Sequence, residues 1–253
     1  SGAIRATGHS WHPAGTGAEM AALIETRDLT LHFGGLRAVD GVDFTLNAGE
    51  IHALIGPNGA GKTTFVSLLS GRRLPQSGAI LLNGEDITRL PAHLRVRKGI
   101  AYTFQITSIF PRLSVFDNVA LAVQSRGGKG LVAQTRAALA RVGLSGLEEQ
   151  EAQTLSYGHQ RLLEVAMGLA LKPRLLILDE PTQGLAASEI EGFKALVQSL
   201  VPETTVLLIE HNMDVVMDIA TRITVLNFGQ VLATGTPEAI RANPAVQEAY
   251  LGA

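Results

Sequence analysis

The stretch that decides the fold reads Gly56-Pro57-Asn58-Gly59-Ala60-Gly61-Lys62-Thr63-Thr64. It matches the pattern G-x-x-x-x-G-K-[ST], in which backbone N–H groups and a helix N-terminus surround a bound anion. The apolar residues 51–55 before it predict a buried strand, and the spacing of Phe65, Leu68 and Leu69 after it predicts a helix. The stretch therefore predicts a phosphate-binding loop, and with it a nucleotide site.

Two side chains of this loop suit the chemistry of a nucleoside triphosphate. Lys62 can bring its cation to the β- and γ-phosphates, and the hydroxyl of Thr63 can ligate Mg²⁺. The glycines at positions 56, 59 and 61 allow the backbone to curl so that successive N–H groups point inward. The alternative is an ordinary glycine-rich turn.

A second apolar run, Arg174-Leu175-Leu176-Ile177-Leu178-Asp179-Glu180-Pro181, ends in two carboxylates. An unbroken apolar run is typical of a strand buried on both faces, so both acids are expected at its carboxyl end. There Asp179 would hold the hydration shell of Mg²⁺ and Glu180 would polarise the attacking water, because phosphoryl transfer depends on positioning and charge neutralisation. The two acids could instead cap a helix.

Residues 205–209 form a third apolar run, and His211 follows it. We expect this strand to lie beside residues 175–178, which would place His211 near the phosphates as a hydrogen-bonding group for the γ-phosphate. A lone histidine is more often structural. The position of His211 after the strand favours the functional interpretation.

Two further segments offer polar groups with a weaker signal. Ser156 and Gly158 stand at the start of an amphipathic helix, where free N–H groups can bind an anion, although a simple capped helix explains them equally well. Gln105 follows the apolar residues 100–104, and its amide could reach both metal and water.

Taken together, residues 22–252 resemble the ATP-binding cassette family, the ATP-hydrolysing subunits of ABC transporters. The resemblance implies an α/β fold: a P-loop NTPase cassette with a RecA-like core, an antiparallel β subdomain and a helical signature subdomain. It also implies a role for each motif: Walker A at Gly56 to Thr64, Q-loop at Gln105, signature at Leu155 to Gln160, Walker B at Leu175 to Asp179, catalytic carboxylate at Glu180, switch histidine at His211, and an adenine-stacking aromatic at Phe33. A core phenylalanine is the alternative for Phe33.

Three positions depart from the family pattern. The signature has Tyr157 where many members have Gly and His159 where many have Gln, while Ser156 and Gly158 are kept. Ala186 stands where an Asp usually touches the partner subunit. This last departure puts in doubt the hydrogen bonding between the two sites that the family assigns to that Asp.

Certain short sequences resemble one branch of the family. Three motifs are similar to those of the ATPases of importers for branched-chain amino acids and related amides or urea. They are His32-Phe33-Gly34-Gly35, Tyr102-Thr103-Phe104-Gln105 and the C-terminal Ala249-Tyr250-Leu251-Gly252. The same ending is similar to that of the lipopolysaccharide-export ATPase. Import ranks first, because the Phe-Gly-Gly and Thr-Phe-Gln words are more typical of the importers.

The family implies an assembly of several proteins. Two ATPase subunits, identical or different, would pack head to tail, with ATP between the Walker A loop of one and Ser156 and Gly158 of the other. The region of Gln105 would pass the resulting movement to a transmembrane permease, which a solute-binding protein supplies. The competing classes are an ABC-fold ATPase without a permease and a nucleotide-binding regulatory module.

Composition sets limits on location and partners. The chain has 253 residues, 46% of them hydrophobic, so it can bury a substantial core, and its net charge of -2 gives no general attraction to nucleic acid. It has no cysteine and no run of about 18 apolar residues. These features suit a reducing cytoplasm, and the family resemblance implies a cytoplasmic protein bound peripherally to the inner face of the membrane.

The chain divides into an N-terminal extension and one ATPase domain. Residues 1–19 are expected to be disordered, either an expression remnant or a native extension, and residues 20–253 to form the ATPase domain, with a helical subdomain at about 91–171. A hairpin is predicted at residues 78–88 with Asn83-Gly84 at its turn. The basic stretch at residues 95–98 contains Arg95, Arg97 and Lys98. It predicts a solvated helix face, with a docking or nucleic-acid patch as the alternative.

Overall fold

The structure is a computed structural model that describes residues 22–103 and 108–251. Its strands are β1 (Ala22–Phe33), β2 (Leu36–Asn47), β3 (Ile51–Ile55), β4 (Ser77–Leu82), β5 (Glu85–Asp86), β6 (Ile100–Thr103), β7 (Leu175–Asp179), β8 (Thr205–Ile209), β9 (Arg222–Asn227) and β10 (Gln230–Gly235). Its α-helices are α1 (Lys62–Leu69), α2 (Ala92–Arg97), α3 (Val115–Ser125), α4 (Leu131–Arg141), α5 (Tyr157–Ala170), α6 (Ala187–Leu200), α7 (Met213–Ile219), α8 (Pro237–Arg241) and α9 (Pro244–Leu251).

The strands form two sheets. A six-stranded sheet has the order β10-β9-β3-β8-β7-β6, and within it the strands from β9 to β6 run parallel, while β10 pairs antiparallel with β9. A second, antiparallel sheet has the order β2-β1-β4-β5. The mixed architecture agrees with the predicted α/β fold.

The central strands β3, β7 and β8 are buried along their whole length. This explains their continuous apolar sequences, because helices cover both faces of a parallel sheet. The predicted pairing of β8 with β7 is confirmed, with Leu178 opposite Leu208 and Asp179 opposite Ile209. Because the three strands are parallel, the loops that follow them meet at one edge of the sheet.

Helices α3, α4 and α5 pack on one another beside the parallel sheet. Their apolar faces contribute Val119, Val123, Leu139 and Leu163 to one core with β7 and β8. The predicted helical region of residues 91–171 also contains β6, which belongs to the six-stranded sheet, so the packed helices begin only at α3. The division into an extension and one ATPase domain stays a prediction.

The predicted hairpin turn at Asn83-Gly84 is confirmed between β4 and β5. Both turn residues have positive φ angles, 48° for Asn83 and 78° for Gly84. That conformation suits a two-residue turn whose twist matches the flanking strands.

The prediction of a solvated face at Arg95 is wrong, because this side chain is 0% exposed. Its guanidinium donates to the carbonyl oxygens of Leu68 at 2.6 Å, Leu69 at 2.9 Å, Leu90 at 2.9 Å and Thr88 at 2.9 Å. Burial lowers its pKa to about 10. The last carbonyls of a helix have no partner within it, and a cation is favourable there, so Arg95 completes the C-terminus of α1.

Within the described residues, every helix is too short or too polar to cross a lipid bilayer.

Candidate nucleotide-binding site

The loop at residues 56–61 lies at the carboxyl edge of β3 and leads directly into α1. Gly61 has φ of 102°, and a Cβ atom there would collide with the carbonyl oxygen of Ala38. A Cβ atom at Gly56 would collide with the carbonyl oxygen of Leu226. The loop is therefore confined between β2 and β9, and these two positions require glycine.

Lys62 is the first residue of α1 and is only 6% exposed. Its ammonium donates to the carbonyl oxygens of Gly56 at 2.6 Å and Pro57 at 3.0 Å, so the cation lies against the loop. Burial lowers the pKa of Lys62, while Glu180 and Asp179 act in the opposite direction. A cation and a helix N-terminus at one glycine-rich loop form a suitable receptor for phosphate oxygens.

Asp179 ends β7 and is 2% exposed. Its Oδ2 accepts a hydrogen bond of 2.6 Å from the hydroxyl of Tyr102 on β6. The pKa of Asp179 lies above its ordinary value, because burial raises it more than the hydrogen bond from Tyr102 lowers it. The carboxylate is thus held in place on the side of the sheet that carries α1.

The side chains of Glu180 and His211 are in contact, with Nε2 of His211 3.0 Å from Oε1 of Glu180. Glu180 has φ of 48°, a conformation that non-glycine residues rarely adopt, and its N–H donates to the carbonyl of Ile209 at 2.9 Å. Backbone strain of this kind persists where the surrounding structure imposes it and is concentrated at functional sites. The alternative that the two acids cap a helix is excluded, because α6 begins only at Ala187.

Glu210 joins the turns that carry these two residues. It is 3% exposed. Its Oε1 accepts from the N–H and the hydroxyl of Thr182 at 3.0 and 2.6 Å, and its Oε2 accepts from the N–H groups of His211 at 3.0 Å and Asn212 at 3.2 Å. One buried carboxylate thereby fixes the turn after β7 to the turn after β8. We call residues 56–64, 179–182 and 210–212 the carboxyl edge.

Phe33 lies at the end of β1 and is 40% exposed, so it is not a core residue. The guanidinium carbon of Arg73 lies 5.0 Å from the centroid of its ring. An exposed ring in this position can present a face to a purine base. Its contact with adenine stays a prediction.

The predicted signature residues lie at the N-terminus of α5. The hydroxyl oxygen of Ser156 accepts from the N–H of His159 at 3.2 Å, which makes Ser156 the N-cap. A Cβ atom at Gly158 would collide with the carboxylate of Glu189, and one at Gly184 would lie 3.0 Å from the ring of Tyr157. Tyr157, where the sequence departs from the family pattern, therefore packs on the turn that follows Glu180.

A profile described as "ABC transporter" matches residues 39–183 of this chain. The chain belongs to the ABC transporter ATPase family. A second profile, described as "Branched-chain amino acid ATP-binding cassette transporter", matches residues 230–253. The cassette is thus an ATP-hydrolysing transporter subunit.

Curated relatives and solved structures agree with this assignment. The cassette is 41% identical over 249 residues to the high-affinity branched-chain amino acid transport ATP-binding protein BraF of Pseudomonas aeruginosa, a match that covers 91% of this chain and 98% of BraF. LivG of Escherichia coli, with the same description, matches at the same identity and coverage. The lipopolysaccharide export system ATP-binding protein LptB of Haemophilus influenzae is 34% identical over 237 residues, covering 91% of this chain and 98% of LptB.

The fold is also that of a solved cassette. A nucleotide-free ATP-binding cassette from an ABC transporter superposes with a TM-score of 0.84 at 26% identity, covering 92% of this chain and all of that one. The ADP conformation of such a cassette superposes with a TM-score of 0.83 at 26% identity, covering 92% of this chain and 99% of that one. The predicted RecA-like core with its antiparallel and helical parts is confirmed.

The cassette brings most of the predicted residues together and adds two that sequence reasoning missed. The loop, Asp179, Glu180 and His211 meet at the carboxyl edge, while Gln105 lies outside the described residues. The missed residues are Tyr102 and Glu210. Each is a polar residue in or directly after an apolar strand, and that contrast is the signal that could have found them.

Proposed function

We propose that this ATPase drives the uptake of branched-chain amino acids, or of chemically related small polar solutes, through a separate membrane permease. The observation that carries the proposal is the 41% identity to BraF and LivG over 249 residues, together with the branched-chain profile at residues 230–253. Similarity over the cassette alone is a weaker guide to the solute, because a protein named for other solutes also matches well. The spermidine/putrescine import ATP-binding protein PotA of Nitrosomonas europaea is 37% identical over 228 residues. The C-terminal match therefore supports the choice of solute.

We assign the chemistry of hydrolysis to the carboxyl edge. Lys62 and the N–H groups of the loop bind the phosphates of ATP. Glu180 orients the attacking water, and His211 holds the carboxylate of Glu180 in place. The hydroxyl of Thr63 and the carboxylate of Asp179 are hard oxygen ligands of the type that Mg²⁺ prefers. When bound, Mg²⁺ neutralises charge on the phosphate oxygens.

We assign the second half of the site to another ATPase subunit. Ser156 and Gly158 offer the N–H groups of the first turn of α5, and an anion is favourable at such a position. In a head-to-tail dimer these groups would bind the γ-phosphate held by the partner's loop. ATP would then stabilise the closed dimer, and hydrolysis would release it.

A groove at the end of β6, lined in part by Tyr102 and Thr103, is the proposed docking site for a cytoplasmic segment of the permease. Its cavity of about 320 Å³ is lined largely by apolar side chains, including Val96, Phe110, Leu121 and Met167. Phe110 and Leu121 are exposed, as expected of residues that a partner covers. Docking there would hold the ATPase peripherally on the inner face of the membrane, with a solute-binding protein delivering the solute on the other side.

Deleting the gene tests the transport assignment. We expect ATP-dependent uptake of labelled leucine, isoleucine or valine to be lost, and to return with the wild-type gene but not with the Glu180→Gln variant. Lipopolysaccharide export is the second candidate, because LptB is 34% identical across 91% of this chain. Normal uptake combined with failed export of envelope lipid would replace the first proposal by the second.

Co-purification tests the groove. Phe110→Asp places a charge in the apolar cavity, so we expect the permease to be lost from the purified complex. Val132→Asp makes the same kind of change at an exposed position of α4 and serves as the matched control. Retention of the permease by Phe110→Asp would refute this docking site.

A further inference from the structure

Three side chains meet between β6, β7 and the end of α1. The hydroxyl of Tyr102 donates to Oδ2 of Asp179 at 2.6 Å. The guanidinium carbon of Arg72 lies 5.6 Å from the centroid of the Tyr102 ring. This cluster adjoins the nucleotide site, and the roles assigned above do not use Tyr102 or Arg72.

Strand register explains how the tyrosine reaches the carboxylate. Tyr102 is paired with Ile177 in parallel β-sheet, and Asp179 lies two residues further along β7. Residues two apart on a strand point to the same face, so Tyr102 and Asp179 share a face of the sheet. The length of the phenol then places its hydroxyl beside the carboxylate at the strand end.

The tyrosine is itself held in place. Its ring packs against the apolar core under α1, and Arg72 lies over the ring in a position suited to a cation–π contact. The turn that carries Arg72 is fixed by a 3.0 Å hydrogen bond from its N–H to the carbonyl of Ser67.

We propose that Tyr102 is a positioning residue that fixes the rotation of the Asp179 carboxylate and thereby prepares it to hold hydrated Mg²⁺. The inference rests on the proposed metal-binding role of Asp179. A rotating carboxylate would present its oxygens to the metal in a range of orientations, whereas one held at Oδ2 presents a single orientation. Hydrogen-bond partners of metal ligands act in this way in other metal sites.

Nucleotide binding measured against Mg²⁺ concentration tests the inference without relying on turnover. The full chain is titrated with a fluorescent trinitrophenyl derivative of ATP, once in EDTA and once at increasing Mg²⁺. For Tyr102→Phe we expect unchanged binding in EDTA and a roughly ten- to hundredfold rise in the Mg²⁺ concentration that gives half of the metal-dependent change. Unchanged Mg²⁺ dependence would overturn the inference.

Thr103→Val is the matched control. It removes a buried hydroxyl from the next residue of β6, where Oγ1 donates to the carbonyl of Ile177 at 3.4 Å. We expect it to leave the Mg²⁺ dependence at the wild-type value. An equal shift in both variants would show that damage to β6 is responsible, and it would also overturn the inference.

Two further variants separate the possible failures. Asp179→Asn with a wild-type Mg²⁺ dependence would refute the proposed metal role and the inference with it, whereas loss in Asp179→Asn but not in Tyr102→Phe refutes the inference alone. Should Tyr102→Phe fold poorly, Arg72→Met removes the group over the ring and is expected to shift the Mg²⁺ dependence in the same direction by a few fold. No shift in Arg72→Met would then count against the inference.

Discussion

The carboxyl edge and the N-terminus of α5 carry the two halves of the proposed site, and they differ in how their functional groups are held. At the carboxyl edge the side chains hold one another, because Lys62 contacts the loop, His211 contacts Glu180, and Glu210 joins two turns. At the start of α5, Ser156 hydrogen-bonds within its own helix.

This difference bears on what each half of the proposed site would need from a second chain. A preorganised group has little orientation left to lose when its ligand binds, so in the proposed site the carboxyl edge would need no second chain to orient its side chains for ATP. The N–H groups at the start of α5 satisfy the condition for anion binding, and in the proposed dimer they would bind a phosphate held by the partner subunit. The comparison predicts severe effects of changes at the carboxyl edge in every subunit, and effects of changes at α5 that depend on the partner.

The largest effect is expected for Glu180→Gln. The amide keeps the shape of the side chain but cannot act as a base toward water, so turnover should fall by at least about two orders of magnitude while ATP binding is retained. Phosphate release and equilibrium nucleotide binding measure the two quantities. Glu191→Gln, an exposed acid on α6, is the matched control. Hydrolysis close to the wild-type rate in Glu180→Gln would show that another group positions the water.

A smaller effect is expected at the adenine end of the site. If Phe33 stacks on the base, Phe33→Ala should weaken nucleotide binding by roughly 1–3 kcal/mol, the range known for base–aromatic stacking, and GTP should compete with ATP because stacking tolerates any purine. Leu36→Ala removes another exposed apolar side chain from the same turn and should have no such effect. Equal affinity in Phe33→Ala and the wild type would end the stacking assignment.

The main elements of the carboxyl edge were predictable from local sequence. The run from Ile51 to Ile55 is a strand with every residue buried, as expected, and the loop and helix follow at the predicted positions. Such features depend on the order of residues along one segment, where hydrophobic period and glycine placement are informative. The position of His211 beside the end of β7 could also be predicted, because β7 and β8 are neighbouring parallel strands that end together.

Contacts across the chain could not be predicted in the same way. Arg95 was expected in solvent because of its charged neighbours, yet its four carbonyl partners come from residues up to 27 positions away. Tyr102 and Asp179 are 77 residues apart in the sequence, and they meet only because of the register between β6 and β7. A sequence pattern gives the type of a side chain, whereas tertiary packing decides which groups it satisfies.

Glu210→Gln tests whether the two turns of the carboxyl edge act as a unit. The substitution keeps the volume but places an amide where the buried carboxylate accepts four hydrogen bonds, so one or more donors lose their acceptor. We expect turnover to fall about tenfold through displacement of Glu180 and His211, with ATP affinity little changed. Glu203→Gln, an exposed acid, is the control. A loss of ATP affinity instead of turnover would place the effect of Glu210 on the loop.

The smallest signal is expected when two defective subunits are mixed, and it decides whether α5 acts in the partner's site. Ser156→Arg blocks the N-terminus of α5 and Glu180→Gln removes the base, so each variant alone should be inactive. In a head-to-tail mixed dimer, one site combines both defects and the other combines the intact carboxyl edge of one chain with the intact α5 of the other. If equal amounts exchange freely and the sites work independently, activity should return to about a quarter of the wild-type value, because half of the dimers are mixed and half of their sites are intact.

The measurement is phosphate release against mixing ratio, with size-exclusion chromatography to establish that dimers form. A double variant carrying both substitutions in one chain, mixed with either single variant, is the control, and it should restore nothing because no site is intact. No recovery in the first mixture despite dimer formation would show that each chain completes its own site, and the distinction between the two regions would then be one of rigidity alone.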